Sequence, residues 1–164
     1  MRNAGEAEFH TFVRERLDPW RRIAYLLCQD WHEADDLVSI AVTKVYRNWA
    51  RVRRADNPDG YCRRILTRCW LTERRRAHMH WEQLCDGPVD AAWVQPDQVA
   101  DREQLNATLR LLGPGQRAVL ALRFYLDYSV EETAALLRIT PGTVKSQSAR
   151  GLSTLRAALN HADH

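Results

Sequence analysis

Residues 129–159 read SVEETAALLRITPGTVKSQSARGLSTLRAAL, and the organisation of the chain is worked out from this stretch. Ser129 and Glu132 form an S-x-x-E capping box opening a short helix that runs to Leu137, because each can satisfy a backbone N–H left over by the first turn. After a turn of about three residues, Thr140 caps a second helix with Pro141 at its first position, where the missing N–H is no loss. Val144, Leu152, Leu155 and Leu159 form its buried stripe. A short helix, a tight turn and a longer amphipathic helix make a helix-turn-helix.

The opposite face of that second helix carries the chemistry. At about 100° per residue the stripe places Thr143, Ser146, Arg150 and Ser153 outward, with Lys145 and Gln147 on the flanks. Arg150 suits a guanine edge, Gln147 an adenine edge and Lys145 a phosphate, while the free N–H groups at Pro141–Thr143 suit a phosphate too. Any solvated helix face is also polar, so periodicity alone leaves a non-binding helix pair open.

Upstream, a helix over 102–112 stops at Gly113-Pro114-Gly115, and a second runs from Gln116 through Val119, Leu120, Leu122 and Phe124 to about Leu126. In the first half, Phe9, Phe12, Val13 and Leu17 recur at helical spacing. The pattern resumes after Asp18-Pro19 with Trp20, Ile23, Ala24 and Leu27, which predicts two consecutive helices. WHEADDLVSIAVTKVYRNW then sets Leu37, Val38, Ala41, Val42, Val45 and Trp49 on one stripe, acids early and bases late as the helix dipole prefers. RVRRADNPDG loses the period and holds the turn dipeptides Asn57-Pro58 and Asp59-Gly60, so it reads as a basic loop. Helical spacing returns from Tyr61 to about His80 through Ile65, Leu66, Cys69 and Trp70. The expected fold class is all-α: a four-helix bundle over 8–80, a linker over 81–101 that holds Gly87-Pro88 and Pro96, and a second helical domain over 102–160. Trp93 and Val94 in the linker are candidates for docking on a surface.

Charge is distributed unevenly. The net charge is only +3, yet residues 44–80 hold eleven Lys and Arg against three acids, and 81–110 hold six acids against Arg102 and Arg110. Such blocks fit a polyanion-binding surface beside a segment that avoids one, although a solvated basic face looks the same in composition.

Other function classes find little support. Hydrophobic residues make up 45% and charged residues 27%, which suits a folded globular protein rather than a disordered one. The N-terminal MRNAGEAEFH lacks a signal-peptide core and no apolar run reaches membrane-spanning length, so a cytoplasmic protein without membrane insertion is expected. Cys28, Cys62, Cys69 and Cys85 form no CxxC pair, and His78 with His80 lacks a third ligand, so neither a metal nor another cofactor is expected. His10, His32, His161 and His164 look like surface or tail residues, and no nucleophile–base grouping or phosphate-cradling glycine loop marks an enzyme.

LGPGQRAVLALRFYLDYSVEETAALLRITPGTVKSQSARGLSTLR, from Leu112 to Arg156, resembles region 4 of the group IV, or extracytoplasmic-function, sigma factors of the sigma-70 family. The resemblance is carried by Leu112-Gly113-Pro114 with Arg117 and by the core Pro141 to Ser146. HEADDLVSIAVTKVYRNW resembles region 2.2 and NPDGYCRRILTRCWLTERRR regions 2.3 to 2.4, in the family's order.

This resemblance implies a non-enzymatic specificity subunit of RNA polymerase. The helix Asp35–Trp49 would meet the polymerase clamp through Asp35, Asp36, Val38 and Lys44. The loop Arg51–Gly60, with Arg51, Arg53, Arg54 and Asn57, would capture a base flipped from the −10 element. Tyr61, Arg63, Arg64, Arg68, Arg74, Arg75 and Arg76 on the next helix would hold the melted strand. Thr143, Lys145, Ser146, Gln147 and Arg150 would read the −35 duplex. Implied partners are core polymerase at its clamp and flap, promoter DNA and an anti-sigma factor, with the acidic linker in the RNA exit path. Ser39-Ile40 departs from the family's Gln followed by an acid, and Arg68 and Thr72 from its Asn and Asp, which bears on clamp contacts and −10 preference. Two other readings stand beside it: a stand-alone helix-turn-helix regulator binding duplex DNA as a dimer, and an adaptor or decoy for anti-sigma factors without promoter activity.

Overall fold

The computed structural model describes residues 2–84 and 106–162, with side chains over 3–76 and 106–161. Every regular element among the described residues is helical. The chain divides into two compact units, Met1–Leu71 and Thr72–His164. The linker expected over 81–101, apart from its first four residues, lies outside the described residues, as do Cys85, Trp93, Val94 and positions 102–105.

The first unit holds α1 (Arg2–Cys28), α2 (Trp31–Arg47), α3 (Trp49–Val52) and the start of α4 (Pro58–Leu84). The two helices expected around Asp18-Pro19 are one, with Pro19 inside α1. An interior proline removes a backbone hydrogen bond and crowds the preceding turn, at a cost of about 3 kcal/mol. The apolar stripe offsets it, because Phe9, Val13, Trp20, Ala24 and Leu27 stay in phase across the proline and all are buried. A break there would turn half the stripe out of the core. α1 packs along α2 through Leu37, Val38, Ala41 and Val45, and Val52, Cys62, Leu66 and Trp70 complete the buried set.

The joints of this bundle are capped. Gln29 takes a left-handed conformation at φ 58°, and Asp30 then accepts the backbone N–H groups of His32 and Glu33 to open α2. α4 starts at Pro58, three residues before the expected Tyr61. Asn57 Oδ1 accepts the Gly60 N–H at 2.9 Å and the Asn57 carbonyl accepts the Tyr61 N–H at 3.0 Å. The dipeptides read as turns are therefore the cap and first turn of a helix, and the irregular loop shrinks to Arg53–Asn57.

The second unit contains α5 over 106–110, α6 (Pro114–Leu120), a π-helical turn (Ala121–Tyr125), α7 (Val130–Leu137) and α8 (Pro141–Ala162). α6 begins at Pro114 with Gly113 as its cap, so the Gly-Pro-Gly run starts a helix as well as ending one. The buried Arg117 guanidinium donates to the Leu112 carbonyl at 3.5 Å, which bridges the entry to α6. The regular helix expected as far as Leu126 widens instead: the Leu126 N–H reaches back five residues to Ala121 at 3.0 Å. The wider turn shifts the helical phase, leaving Leu122 buried but Phe124 and Tyr125 54% and 55% exposed. Phe124, expected on the apolar face, is thus outside it.

Ser129 Oγ accepts the Glu132 N–H at 3.0 Å to open α7, and Thr140 Oγ1 accepts the Thr143 N–H at 3.1 Å to open α8. Arg138, left-handed at φ 56°, makes the turn between them. Val119, Ala134 and Val144 form a buried cluster that Val130, Leu137 and Ile139 cover. The stripe of α8 is shorter than expected: Val144 is fully buried, Leu152 and Leu155 are half-buried, and Leu159 is 42% exposed. At Gly151 a Cβ would lie 2.8 Å from Leu120 Cδ1, so α8 rests directly on α6.

Candidate nucleic-acid interface

α4 sorts its arginines by face. Cys62, Leu66, Cys69 and Trp70 are buried, and at about 100° per residue the side opposite them carries Tyr61, Arg64, Arg68, Thr72 and Arg75. Arg64, Arg68, Thr72 and Arg75 are exposed and Tyr61 is half-buried. Arg63 falls elsewhere: its Nη2 is 3.2 Å from Asp59 Oδ2 one turn back. Arg74 projects from the same flank as Arg63, and Arg76 pairs with Glu73 at 3.4 Å. The structure therefore separates one row of exposed bases from a string of arginines that the sequence treats alike.

In the preceding loop and α3, Arg51 and Arg54 are exposed, whereas Arg53 is paired with Glu8 of α1 at 3.0 Å. Asn57 is exposed, but its Oδ1 is taken by the cap, which leaves the amide N–H groups for a ligand. Gly60, which the sequence marks only as part of a turn dipeptide, belongs to this cap: a Cβ there would sit 2.7 Å from Asn57 Nδ2.

On α8, Lys145, Ser146, Arg150 and Ser153 are exposed on one side. Thr143 is half-buried and shares a 2.8 Å hydrogen bond with the Thr140 hydroxyl, while Ser146 Oγ donates to the Thr143 carbonyl at 3.1 Å. Gln147 is half-buried and lies against Gly115 at the start of α6. Its Oε1 is buried without a hydrogen-bond partner. Reading a base with Gln147 requires that side chain to swing off α6, which the sequence pattern gave no means to foresee.

On α2, Asp36 and Lys44 are exposed, and Val38 is buried to 7% exposure. Val38, expected as a clamp contact, is thus part of the core with little of its side chain exposed. Asp35 is exposed but occupied, because the Arg21 guanidinium of α1 forks onto its carboxylate. That hydrogen bond, with the adjacent positive charge, holds Asp35 below the usual carboxylate range and raises Arg21 in turn. Arg21 also lies 4.5 Å over the Trp31 ring, which stacks on Tyr25 at 4.0 Å. Of the departing positions on α2, Ser39 is exposed with its hydroxyl donating to the Asp35 carbonyl, and Ile40 is half-buried.

Sigma-70 region 2 matches residues 12–79, and sigma-70 region 4 matches residues 102–155. The chain is 39% identical to the RNA polymerase sigma-E factor of Streptomyces coelicolor, over 93% of this chain and 86% of that one. It is 32% identical to the extracytoplasmic-function sigma factor SigE of Mycolicibacterium smegmatis, over 88% and 58%. The protein belongs to the sigma-70 family, in its extracytoplasmic-function group. The sigma factor RpoE of Bartonella quintana, solved in complex with the anti-sigma factor NepR, shares the fold at a TM-score of 0.71 and 21% identity, over 93% of this chain and 97% of that one.

As a sigma factor, the chain is a transcription-initiation subunit for RNA polymerase, and the stand-alone dimeric regulator is not favoured. The region 2 match spans α2, the loop and the exposed row of α4; the region 4 match spans α6 to the middle of α8. No group of three metal-binding side chains occurs among the described residues. Burial pushes the Cys62 thiol up to about 12, where it is no nucleophile at neutral pH. Among the described residues, no helix is long and apolar enough to cross a membrane.

Proposed function

We propose that this sigma factor uses its two halves, residues 8–80 and 102–160, on two separate promoter elements while seated on core polymerase. The exposed face of α2, with Asp36 and Lys44, meets the clamp. The loop Arg53–Asn57 takes a base flipped from the −10 element, and Tyr61, Arg64, Arg68 and Arg75 hold the melted strand. α8 reads the −35 duplex through Ser146 and Arg150, with Lys145 on a phosphate. The segment 81–101 occupies the RNA exit path, where its acids stand in for nucleic acid.

The observation that carries this reading is the common face of Tyr61, Arg64, Arg68, Thr72 and Arg75 on α4, directly after a loop with exposed Arg54 and Asn57. Extruding a base costs a few kcal/mol, which stacking on an aromatic ring and contacts from a basic loop can offset. A protein of this kind acts without catalysis or cofactor, in the cytoplasm where polymerase is. The RpoE relative bound to NepR supports an anti-sigma factor as a further partner.

Run-off transcription with core polymerase on a genomic DNA library, with and without the protein, tests the reading. Selective initiation that depends on the protein is expected; association with core enzyme without selective initiation would leave the adaptor or decoy as the answer. Replacing Arg51, Arg53 and Arg54 together should impair strand opening more than closed-complex binding. Undiminished permanganate reactivity in that variant would exclude the loop from melting.

A further inference from the structure

The long helix α1 contributes no residue to the promoter contacts proposed above, yet it holds both ends of the strand-capturing loop. At the entry, Glu8 Oε2 is 3.0 Å from Arg53 Nη2. Just before it, Trp49 at the start of α3 packs against Phe9 and Phe12, with ring centroids 5.4 and 5.1 Å apart. At the exit, Arg16 Nε is 3.6 Å from Asp59 Oδ1, in the first turn of α4. Arg16 is itself fixed: its guanidinium lies 3.8 Å over the Phe12 ring and donates to the Phe12 carbonyl at 3.0 Å. Asp59 is held from the other side by Arg63. Between the two ties lie Arg54, Asp56 and Asn57, all exposed.

We propose that Glu8 and Arg16 of α1 are positioning residues for the loop, fixing its ends so that Arg54 and Asn57 meet a melted strand already in place. The inference rests on the reading of this loop as the element that captures the −10 base. A loop ordered only on capture loses conformational freedom at that moment, so one held beforehand binds more tightly. Exposed ion pairs add little to global stability, which makes a purely structural role for these two a poor account of any loss in capture.

The test uses holoenzyme reconstituted with core polymerase and a single-stranded oligonucleotide spanning the −10 element of a promoter on which that holoenzyme initiates. Thermal midpoints of every variant are measured alongside. Charge alone predicts that Glu8→Gln, by removing an acid, strengthens oligonucleotide binding; positioning predicts a weakening of up to about fivefold, the upper end for one surface ion pair. Arg16→Gln should weaken binding by a similar factor. The charge-neutral exchange Glu8→Arg with Arg53→Glu should recover most of what Arg53→Glu alone loses. Binding at or above the parent level for Glu8→Gln, an exchange no better than Arg53→Glu, or losses that merely track the thermal midpoint would each overturn the proposal. Arg54→Ala with Asn57→Asp forms a separate arm: unchanged binding there would defeat the capture reading itself, whatever the α1 variants do.

Discussion

Asn57 offers a test in which two roles of one side chain come apart. Its Oδ1 accepts the Gly60 N–H at 2.9 Å and so caps α4, while its amide N–H groups take no part in that bond and the residue is exposed in the loop proposed to capture the strand. Asn57→Ala removes both. Loss of an N-cap costs about 1 kcal/mol, which in a domain of this size lowers the thermal midpoint by roughly 4–8 °C. Asn57→Asp keeps an oxygen for the Gly60 N–H and adds a charge that the helix N-terminus favours by about 0.3–1 kcal/mol, partly opposed by neighbouring Asp59. Its thermal midpoint should therefore match the parent within about 2 °C. The carboxylate cannot donate, however, and under the proposed reading it would meet the phosphates of the captured strand. A lost hydrogen bond with a buried acceptor left unpaired costs about 1–3 kcal/mol, or roughly 5- to 150-fold in affinity. Fluorescence anisotropy of holoenzyme on a −10 oligonucleotide, paired with thermal unfolding of the free protein, reads both quantities. If Asn57→Asp captures the strand like the parent while Asn57→Ala loses capture only as it loses stability, Asn57 is a cap and nothing more.

Gly151→Ala on α8 brings a Cβ within 2.8 Å of Leu120 Cδ1. Overpacking of about 1–3 kcal/mol outweighs a helix-propensity gain of about 1, so urea unfolding should show a net loss of about 1 kcal/mol. Arg150→Ala should cost about 1–3 kcal/mol on the −35 duplex and relax one base position, whereas Arg75→Ala should weaken all sequences alike and flatten the salt dependence by about one counterion. Gel-shift titrations on matched and random DNA separate them, and equal losses from Arg150→Ala on both would remove it as a reader. The Cys62 thiol, pushed by burial from 9.0 to about 12, binds its proton more tightly in the folded state. Its contribution to stability is therefore complete below pH 9 and lost as pH rises from 9 towards 12. Native alkylation at pH 8 should spare Cys62, and rapid labelling there would contradict its burial.

The fold class and the helix-turn-helix were legible because both rest on periodicity and caps, which are local. The same local rules failed in opposite directions at two Xaa-Pro pairs. Asp18-Pro19 reads as a helix start but lies inside α1, since the stripe from Phe9 to Leu27 keeps its phase across it. Asn57-Pro58 reads as a turn but caps α4. Whether a cap is used depends on what the flanking residues bury, and that is tertiary information. The π turn is of the same kind: no residue type marks it, yet it alone turns Phe124 out of the core. Family resemblance identified the basic string on α4 but could not divide it. The division on α4 comes from Asp59 holding Arg63, an i,i+4 pair that is hidden while Asp59 is read as a turn, and in the preceding loop from Glu8 holding Arg53, residues that sequence spacing does not pair.

The charges that remain after this division bear on why such a chain works as a subunit. The exposed row of α4 offers Arg64, Arg68 and Arg75 over eleven residues, about 16 Å of helix, which suits a few phosphates of one strand. The outer face of α8 among the described residues offers Lys145, Arg150 and Arg156. At about 0.7 counterions released per single-strand contact and 0.9 per duplex contact, the α4 row gives a salt slope of about −2 and the α8 face one of about −3 by itself. Proteins that hold DNA firmly unaided neutralise about 6–10 phosphates, so either surface alone falls well short. On the proposed assignment of the two surfaces, promoter affinity would come from engaging both elements at once on polymerase, which raises the effective concentration of the second site. Titrating the free protein and the holoenzyme against the same promoter over a range of salt should give a slope of about −3 or shallower for the free chain and about −5 for the assembly. A free chain with the steep slope would place the division of labour within the sigma factor itself and remove polymerase from the account of affinity.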